Sequence, residues 1–121
     1  MTNLTAAEYK AQVDACRKKY IAGSTVRLDC AVAWDQIAGV YSMLWRGQQE
    51  FEDNDFTPST AALAYRTDAE NLLNNAKGRL VGPLSISSPS ATASASWAST
   101  MAYDYLEMAK REARQAAEGQ V

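Results

Sequence analysis

Four acidic residues lie within six positions near the middle of the chain: Glu50, Glu52, Asp53 and Asp55. Clustered carboxylates are ligands that Ca²⁺ prefers in proteins. The EF-hand pattern fails here, because counting from Asp53 puts Pro58 where the loop needs glycine and Ala64 where it needs a bidentate glutamate. We therefore predict no metal site and interpret the segment as a solvated loop, anchored at its ends by Phe51 and Phe56. A negative patch that meets a basic partner is the alternative.

The two cysteines offer a second chemical possibility. Cys16 and Cys30 each lie seven residues from Gly23, so an antiparallel hairpin about that glycine would place the thiols at similar height. A disulfide is then geometrically conceivable, but two free buried thiols are the preferred interpretation. The chain has no histidine. A zinc site and a cysteine–histidine nucleophile are therefore excluded, and the commonest general base is missing.

Other catalytic patterns are absent from the sequence. It contains no glycine-rich phosphate loop, no GxSxG and no HExxH. The run Arg17-Lys18-Lys19 is interpreted as a solvated helix end that complements the helix dipole, with an anion patch as the alternative. Asp35 is interpreted as the polar edge of a helix. We predict a non-enzymatic protein with no catalytic residue, no cofactor and no small-molecule substrate.

Length and charge limit the remaining classes. The 121 residues fit one domain, 1–121, and the net charge of −2 argues against a general nucleic-acid binder. The first residues, MTNLTAAEYK, lack the basic and apolar regions of a signal peptide. No apolar run reaches the roughly 18 residues that a membrane helix needs. The sequence predicts a protein made in the cytoplasm that does not enter a membrane.

Helical periodicity runs through the chain. Thr5 and Glu8 have the spacing of a capping box, and Thr57-Pro58 reads as the start of a later helix. The predicted helices are 6–22, 25–49, 58–77 and 90–117, which together form an all-α, antiparallel four-helix bundle. The apolar stripes predict these core residues: Tyr9, Val13, Tyr20, Trp34, Ile37, Tyr41, Leu44, Leu72, Leu73, Trp97, Met101, Tyr105 and Met108.

The segment 29–46 is expected to be the central helix, with neighbours on several sides. Gly39 is predicted to allow close approach of another helix, and the helix is expected to fray at Gly47. Its apolar arc is wider than one bundle needs, which predicts a subunit contact. The candidate interface residues are Val32, Met43, Trp45, Phe51, Phe56, Ile86 and Trp97.

A change of composition marks the segment before the last helix. Residues 84–100 are mostly Ser, Ala and Thr and carry no charge. Such tracts bury little apolar surface against a large ordering entropy, so we predict a long flexible or partner-ordered loop over about 84–96. Ser88 and Pro89 leave open an earlier start of the helix. The tail from 117 to 121 should fray.

In size, all-α content, acidic pI and long polar interhelical segment, the chain is similar to the small head-completion proteins of tailed bacteriophages, also called head-to-tail connectors or adaptors. The resemblance covers the layout of the whole chain and includes no diagnostic motif, so no functional residue follows from it. It implies a ring of identical subunits in the virion, assembled in the host cytoplasm, between portal and tail. The implied partners are copies of the chain, other virion proteins of the portal, tail or capsid, and DNA only weakly and non-specifically.

Two other classes are compatible with parts of the sequence. In a small acidic phage-encoded inhibitor of the anti-CRISPR kind, the acidic cluster would imitate phosphates to bind a host protein. The 14 acidic residues are balanced by 12 basic ones, whereas such mimics carry a larger negative excess over one face. A helix-turn-helix regulator needs a basic recognition helix, and no predicted helix is basic along one face.

Overall fold

The structure is a computed structural model that describes residues 4–23, 28–80 and 88–118. Its helices are α1 (Ala6–Gly23), α2 (Leu28–Asp53), α3 (Thr60–Gly78) and α4 (Ser88–Glu118). The described residues contain no strand. The predicted all-α architecture of four antiparallel helices is confirmed. Within the described ranges, no helix is both long and apolar enough to cross a membrane.

Successive helices reverse direction, and they pack in the order α1, α2, α4, α3. Ser59, directly before α3, contacts Glu112 near the end of α4, which shows that these two helices are antiparallel. α2 and α4 run the same way, because Val40 lines a cleft with Ala95 and Glu50, further along, reaches Arg114. Among the described residues, no Cα atom of α1 comes within 8 Å of one in α3. Side chains such as Tyr9 and Glu70 therefore bridge this side of the bundle.

The capping box of α1 is confirmed. The amide of Glu8 donates to the Thr5 hydroxyl at 3.2 Å, and the Thr5 amide donates to the Glu8 carboxylate at 3.0 Å. The Ala6 amide donates to Glu52 at 2.8 Å, which ties the start of α1 to the end of α2. A local signature and one long-range carboxylate together satisfy donors that a helix start leaves open.

The sequence predicted a loop for the acidic segment. In the structure, Glu50, Glu52 and Asp53 instead belong to the last turn of α2. The helix passes through Gly47 without fraying and ends at Asp53, and Asp55 turns the chain with a positive φ of 48°. Phe51 is only 1% exposed and stacks on Phe56 at 6.0 Å between ring centroids. Burial of this aromatic pair stabilises the extra turn.

α3 begins two residues later than predicted. Ser59, rather than Thr57, is the N-cap, and its hydroxyl accepts from the Ala62 amide at 3.2 Å. The same hydroxyl donates to Glu112 of α4 at 2.6 Å. A tertiary partner therefore selects between two polar residues that are both able to cap the helix.

The loop predicted over 84–96 is wrong for its second part. Residues 84–87 lie outside the described residues, but α4 begins at Ser88, the alternative start that Pro89 had left open. Ala91 and Ala95 are already buried in the core. The alanines of this segment recur at helical spacing, and an alanine side chain has no rotamer entropy to lose when it is buried.

Most predicted core residues are confirmed, with two exceptions. Tyr20 is 37% exposed and Trp97 is 67% exposed. Three more are only partly buried against the core: Leu72, Met101 and Met108. In α4 the buried arc follows alanines on either side of Tyr105, because small side chains let the helix lie close to its neighbours. The missed core positions of α4 are Ala91, Ala95, Ala98, Ala102, Leu106, Ala109 and Ala113.

The glycine that permits close approach is Gly47, not Gly39. A Cβ at Gly47 would lie 2.9 Å from the Tyr105 ring and 3.3 Å from the Leu106 Cα. A Cβ at Gly39 would meet nothing within 4 Å. Glycine at position 47 is therefore required by the approach of α4, whereas position 39 could accept a side chain.

Candidate functional site

The predicted contact residues divide into three groups. Val32 and Trp97 are exposed, and both sit on helices whose opposite faces are buried. Met43, Trp45 and Phe56 are half-buried against the core. Phe51 is fully buried, so it cannot contact a partner from the surface. Ile86 lies outside the described residues.

Three exposed apolar side chains were missed by sequence reasoning: Tyr20, Ile21 and Tyr103. Tyr20 was assigned to the core because it continues the stripe of Tyr9, Val13 and Cys16, but it is 37% exposed. Ile21 and Tyr103 fall outside the predicted stripes, and a large apolar residue outside a stripe was the available signal. Exposed aromatic side chains are enriched at protein–protein contacts.

Two lysines of α1 lie over tryptophan rings of α2. Lys19 Nζ lies 5.2 Å from the centroid of the Trp34 ring, and Lys10 Nζ lies 5.6 Å from that of Trp45. These distances fit cation–π contacts, which here close the edges of the α1–α2 packing. Trp97 differs, because two-thirds of its surface stays open to solvent.

The acidic residues at the end of α2 are engaged with their own chain. Glu50 pairs with Arg114 at 3.4 Å, and Glu52 accepts from the Ala6 amide at 2.8 Å. Asp53 Oδ1 accepts from the Gln49 side-chain Nε2 at 2.8 Å. In the part of the chain that the structure describes, no three Cys, Asp or Glu side chains are placed to hold a metal ion.

A cluster of polar side chains lies inside the bundle. Arg66 is 4% exposed, and its guanidinium donates to Gln48 Oε1 at 3.0 Å. The Tyr105 hydroxyl donates to the same oxygen at 2.7 Å. This set of three joins α2, α3 and α4. Arg66 and Glu70 have the i,i+4 spacing of a surface ion pair, but the Arg66 side chain is buried.

The cluster continues toward α1. The Tyr9 hydroxyl donates to Glu70, and Lys77 Nζ donates to the Tyr41 hydroxyl at 3.2 Å and to Gln12 at 3.4 Å. No described buried side-chain nitrogen or oxygen lacks a hydrogen-bond partner. Satisfied polar groups of this kind specify one packing arrangement.

Burial controls the titration of this cluster. It raises the pKa of the Tyr105 hydroxyl to about 12, although the neighbouring Arg66 acts in the opposite direction. Burial, the hydrogen bond to Glu70 and the charge of Glu70 raise the pKa of Tyr9 well above the ordinary tyrosine range. Burial likewise raises the pKa of Tyr41. All three tyrosines are therefore neutral at physiological pH.

Cys16 is a free, buried thiol, so it forms no disulfide in this structure. Burial raises its pKa, while the nearby Lys77 and Lys19 act to lower it. A buried thiol with a raised pKa is a poor nucleophile. The side chain of Cys30 lies outside the described residues.

No protein-family model, no curated protein and no solved structure matches this chain. The described buried polar side chains are hydrogen-bonded, whereas several aromatic side chains are exposed. The exposed aromatic surface, with Trp97 as its most exposed tryptophan, is the candidate functional site.

Proposed function

We propose that this protein is a non-enzymatic assembly subunit that docks on other proteins through exposed aromatic and aliphatic side chains. The observation that carries the proposal is Trp97, which is 67% exposed on a helix whose opposite face is buried alanine. Tryptophan is among the residues most enriched in binding hot spots, because it brings a large apolar area at low entropic cost. Val32 and Tyr103 add further exposed apolar area on α2 and α4.

The narrower form of the proposal is a head-to-tail connector subunit of a tailed bacteriophage, forming a ring between portal and tail. It is supported by the resemblance in layout and by the compact helical bundle with exposed aromatics. Copies of the chain and virion proteins of the portal or tail would be its partners. DNA would be contacted weakly if at all.

Docking is favoured over phosphate mimicry by the state of the acidic residues. Glu50 and Glu52 already bond to Arg114 and to the Ala6 amide. A mimic needs carboxylates free to face basic groups of its target. The anti-CRISPR-like alternative is therefore the second candidate, with block of a nuclease as its distinguishing activity.

Light scattering on a size-exclusion column tests the proposal with three proteins: wild type, Trp97→Ser, and Thr100→Ala as a control on an exposed position of the same helix. Each is run alone and with a portal or virion fraction. We expect wild type and the control to assemble or co-elute, and Trp97→Ser to do neither while melting at the same temperature. A wild-type monomer that binds no virion component and blocks a nuclease would overturn the proposal.

A further inference from the structure

The bundle can be divided along its length into two halves of unequal charge. The connection half is the end of the bundle where α1 and α3 end and where α2 and α4 begin, and it consists of residues 14–23, 28–39, 72–80 and 88–99. The termini half consists of residues 4–13, 40–71 and 100–118. Lys19 stacked over Trp34 lies in the first half, and the contact of Ser59 with Glu112 lies in the second.

The residues in these ranges give the two halves opposite net charges. The connection half has five basic residues, Arg17, Lys18, Lys19, Lys77 and Arg79, against the acidic Asp14, Asp29 and Asp35, a net charge of +2. The termini half has eleven acidic residues against six basic ones, a net charge of −5. The modest overall charge of −2 therefore conceals a dipolar molecule.

Exposed apolar area follows the same division. Of the five large apolar side chains that are exposed in the described ranges, four lie in the connection half: Tyr20, Ile21, Val32 and Trp97. The first three turns of α4 in this half carry no charge at all. The connection half thus combines a positive charge with an open apolar surface, which suits an acidic protein partner.

We propose that the connection half docks on the termini half of a second copy of this chain, head to tail. Charge complementarity points to this occupant, because the termini half, with a net charge of −5, attracts the connection half, with a net charge of +2. Pairing of two connection halves with each other would place like charges together, which is unfavourable. A head-to-tail contact leaves one free half at each end, so it propagates into a ring or a filament.

This inference deepens the proposed function, on which it rests, by naming the two surfaces of a self-contact. Lys18 and Trp97 are the docking residues to test, and Asp53 is an exposed acid at the end of α2 in the opposite half. Lys18 supplies charge attraction and Trp97 the apolar anchor. Asp53 accepts one hydrogen bond from the neutral side-chain amide of Gln49, and its charge stays exposed beside the acidic Glu52 and Asp55.

Sedimentation velocity tests the contact with Lys18→Glu, Asp53→Lys and Trp97→Ser. We expect each charge reversal to weaken self-association about tenfold, and Trp97→Ser to weaken it about 30-fold, as hot-spot losses do. Lys10→Glu is the matched control, since it makes the same charge change in the same helix but in the negative half, and it should not weaken association. Circular dichroism and melting temperature check that all variants fold.

Mixing the two charge-reversal variants tests the contact between opposite halves. The unchanged Lys18 of one variant meets the unchanged Asp53 of the other, so an equimolar mixture should associate about tenfold more tightly than either variant does alone. Raising salt from about 0.01 M to about 1 M shortens the Debye length from about 30 Å to about 3 Å and should weaken the wild-type contact. A salt-insensitive contact, a wild-type assembly that closes at the dimer, or a mixture that associates no more tightly than either variant would overturn the proposal.

The failure of this inference is distinguishable from that of the proposed function. A wild-type chain that stays monomeric but binds a portal fraction through Trp97 refutes the self-contact and leaves the assembly role standing. A wild-type chain that binds neither refutes both. Salt-dependent binding of a DNA duplex to the connection half, without self-association, would also refute the self-contact.

Discussion

Two seams of the bundle solve the same packing problem in opposite ways. At the α2–α4 seam, Gly47 and the alanines of α4 bring the backbones together, so that a Cβ at Gly47 would overlap the Tyr105 ring. At the α1–α3 seam the backbones stay apart, and long polar side chains span the gap as Tyr9–Glu70 and Lys77–Gln12. Dispersion contacts stabilise the first seam, and hydrogen bonds the second.

The difference shows how composition sets the distance between helices. Small residues bury little area each, yet they place two backbones and their neighbours in contact over several turns. Polar side chains contribute less net free energy, because each hydrogen bond replaces one with water. We therefore expect the α2–α4 seam to be sensitive to added volume and the α1–α3 seam to lost hydrogen bonds.

The largest expected effect comes from Tyr105→Ala, since Tyr105 contacts both Gly47 and the interior polar cluster. Loss of this buried ring should lower the free energy of unfolding by about 3–5 kcal/mol. Urea denaturation measures the change. Tyr103→Ala, an exposed tyrosine of the same helix, is the control and should change stability by no more than about 0.5 kcal/mol. Equal losses for the two variants would contradict the assignment.

A smaller loss should follow from Gly47→Val. The added side chain meets the Tyr105 ring and the Leu106 backbone, and overpacking of this kind costs about 1–3 kcal/mol. Gly39→Ala is the matched control in the same helix, where the new Cβ meets nothing within 4 Å. It should stabilise the protein by up to about 1 kcal/mol through helix propensity. Thermal melting of both variants decides whether the two glycines differ in this way.

At the α1–α3 seam, Tyr9→Phe removes the hydroxyl that donates to Glu70 and keeps the ring in the core. We expect a loss of about 1 kcal/mol, the usual net value of a hydrogen bond. A double-mutant cycle with Glu70→Gln isolates the pairwise contribution. A coupling energy of zero would show that the pair does not hold this seam.

The smallest expected effect is that of alkaline pH on the free energy of unfolding. The effect begins near the ordinary tyrosine pKa of about 10 and increases as the pH rises. The pKa values of Tyr9, Tyr41 and Tyr105 are raised in the folded state, that of Tyr105 to about 12. The folded state therefore binds more protons than the unfolded state above pH about 10, and stability falls as pH rises toward 12. Urea titrations at increasing pH measure the slope. Tyr105→Phe should reduce it.

Much of the fold follows from local signals in the sequence. Thr5 and Glu8 identify the start of α1, and the stripes through Val13, Ile37 and Leu44 place the core of α1 and α2. These signals are strong because capping depends on near neighbours and because a large apolar residue in a stripe must be buried somewhere. The number and direction of the helices follow from them.

The errors share one physical cause, which is that the neighbouring helix was unknown. In α4 the large residues Trp97, Met101 and Met108 suggested a buried stripe. The buried face consists instead mainly of alanines, whose small side chains allow neighbouring helices to approach closely. Arg66 looked like a surface charge because its partners Gln48 and Tyr105 come from other helices. No local sequence pattern indicates how close a neighbouring helix will lie.

The sequence by itself determined four amphipathic helices, their order and most of their large core residues, because propensity, capping and periodicity act over a few residues. Only the tertiary structure decided that the Ser/Ala/Thr tract is helical from Ser88, that Gly47 rather than Gly39 faces another helix, and that Trp97 is exposed. Each of these depends on which backbone lies opposite, and that choice is made by the packing of the whole bundle.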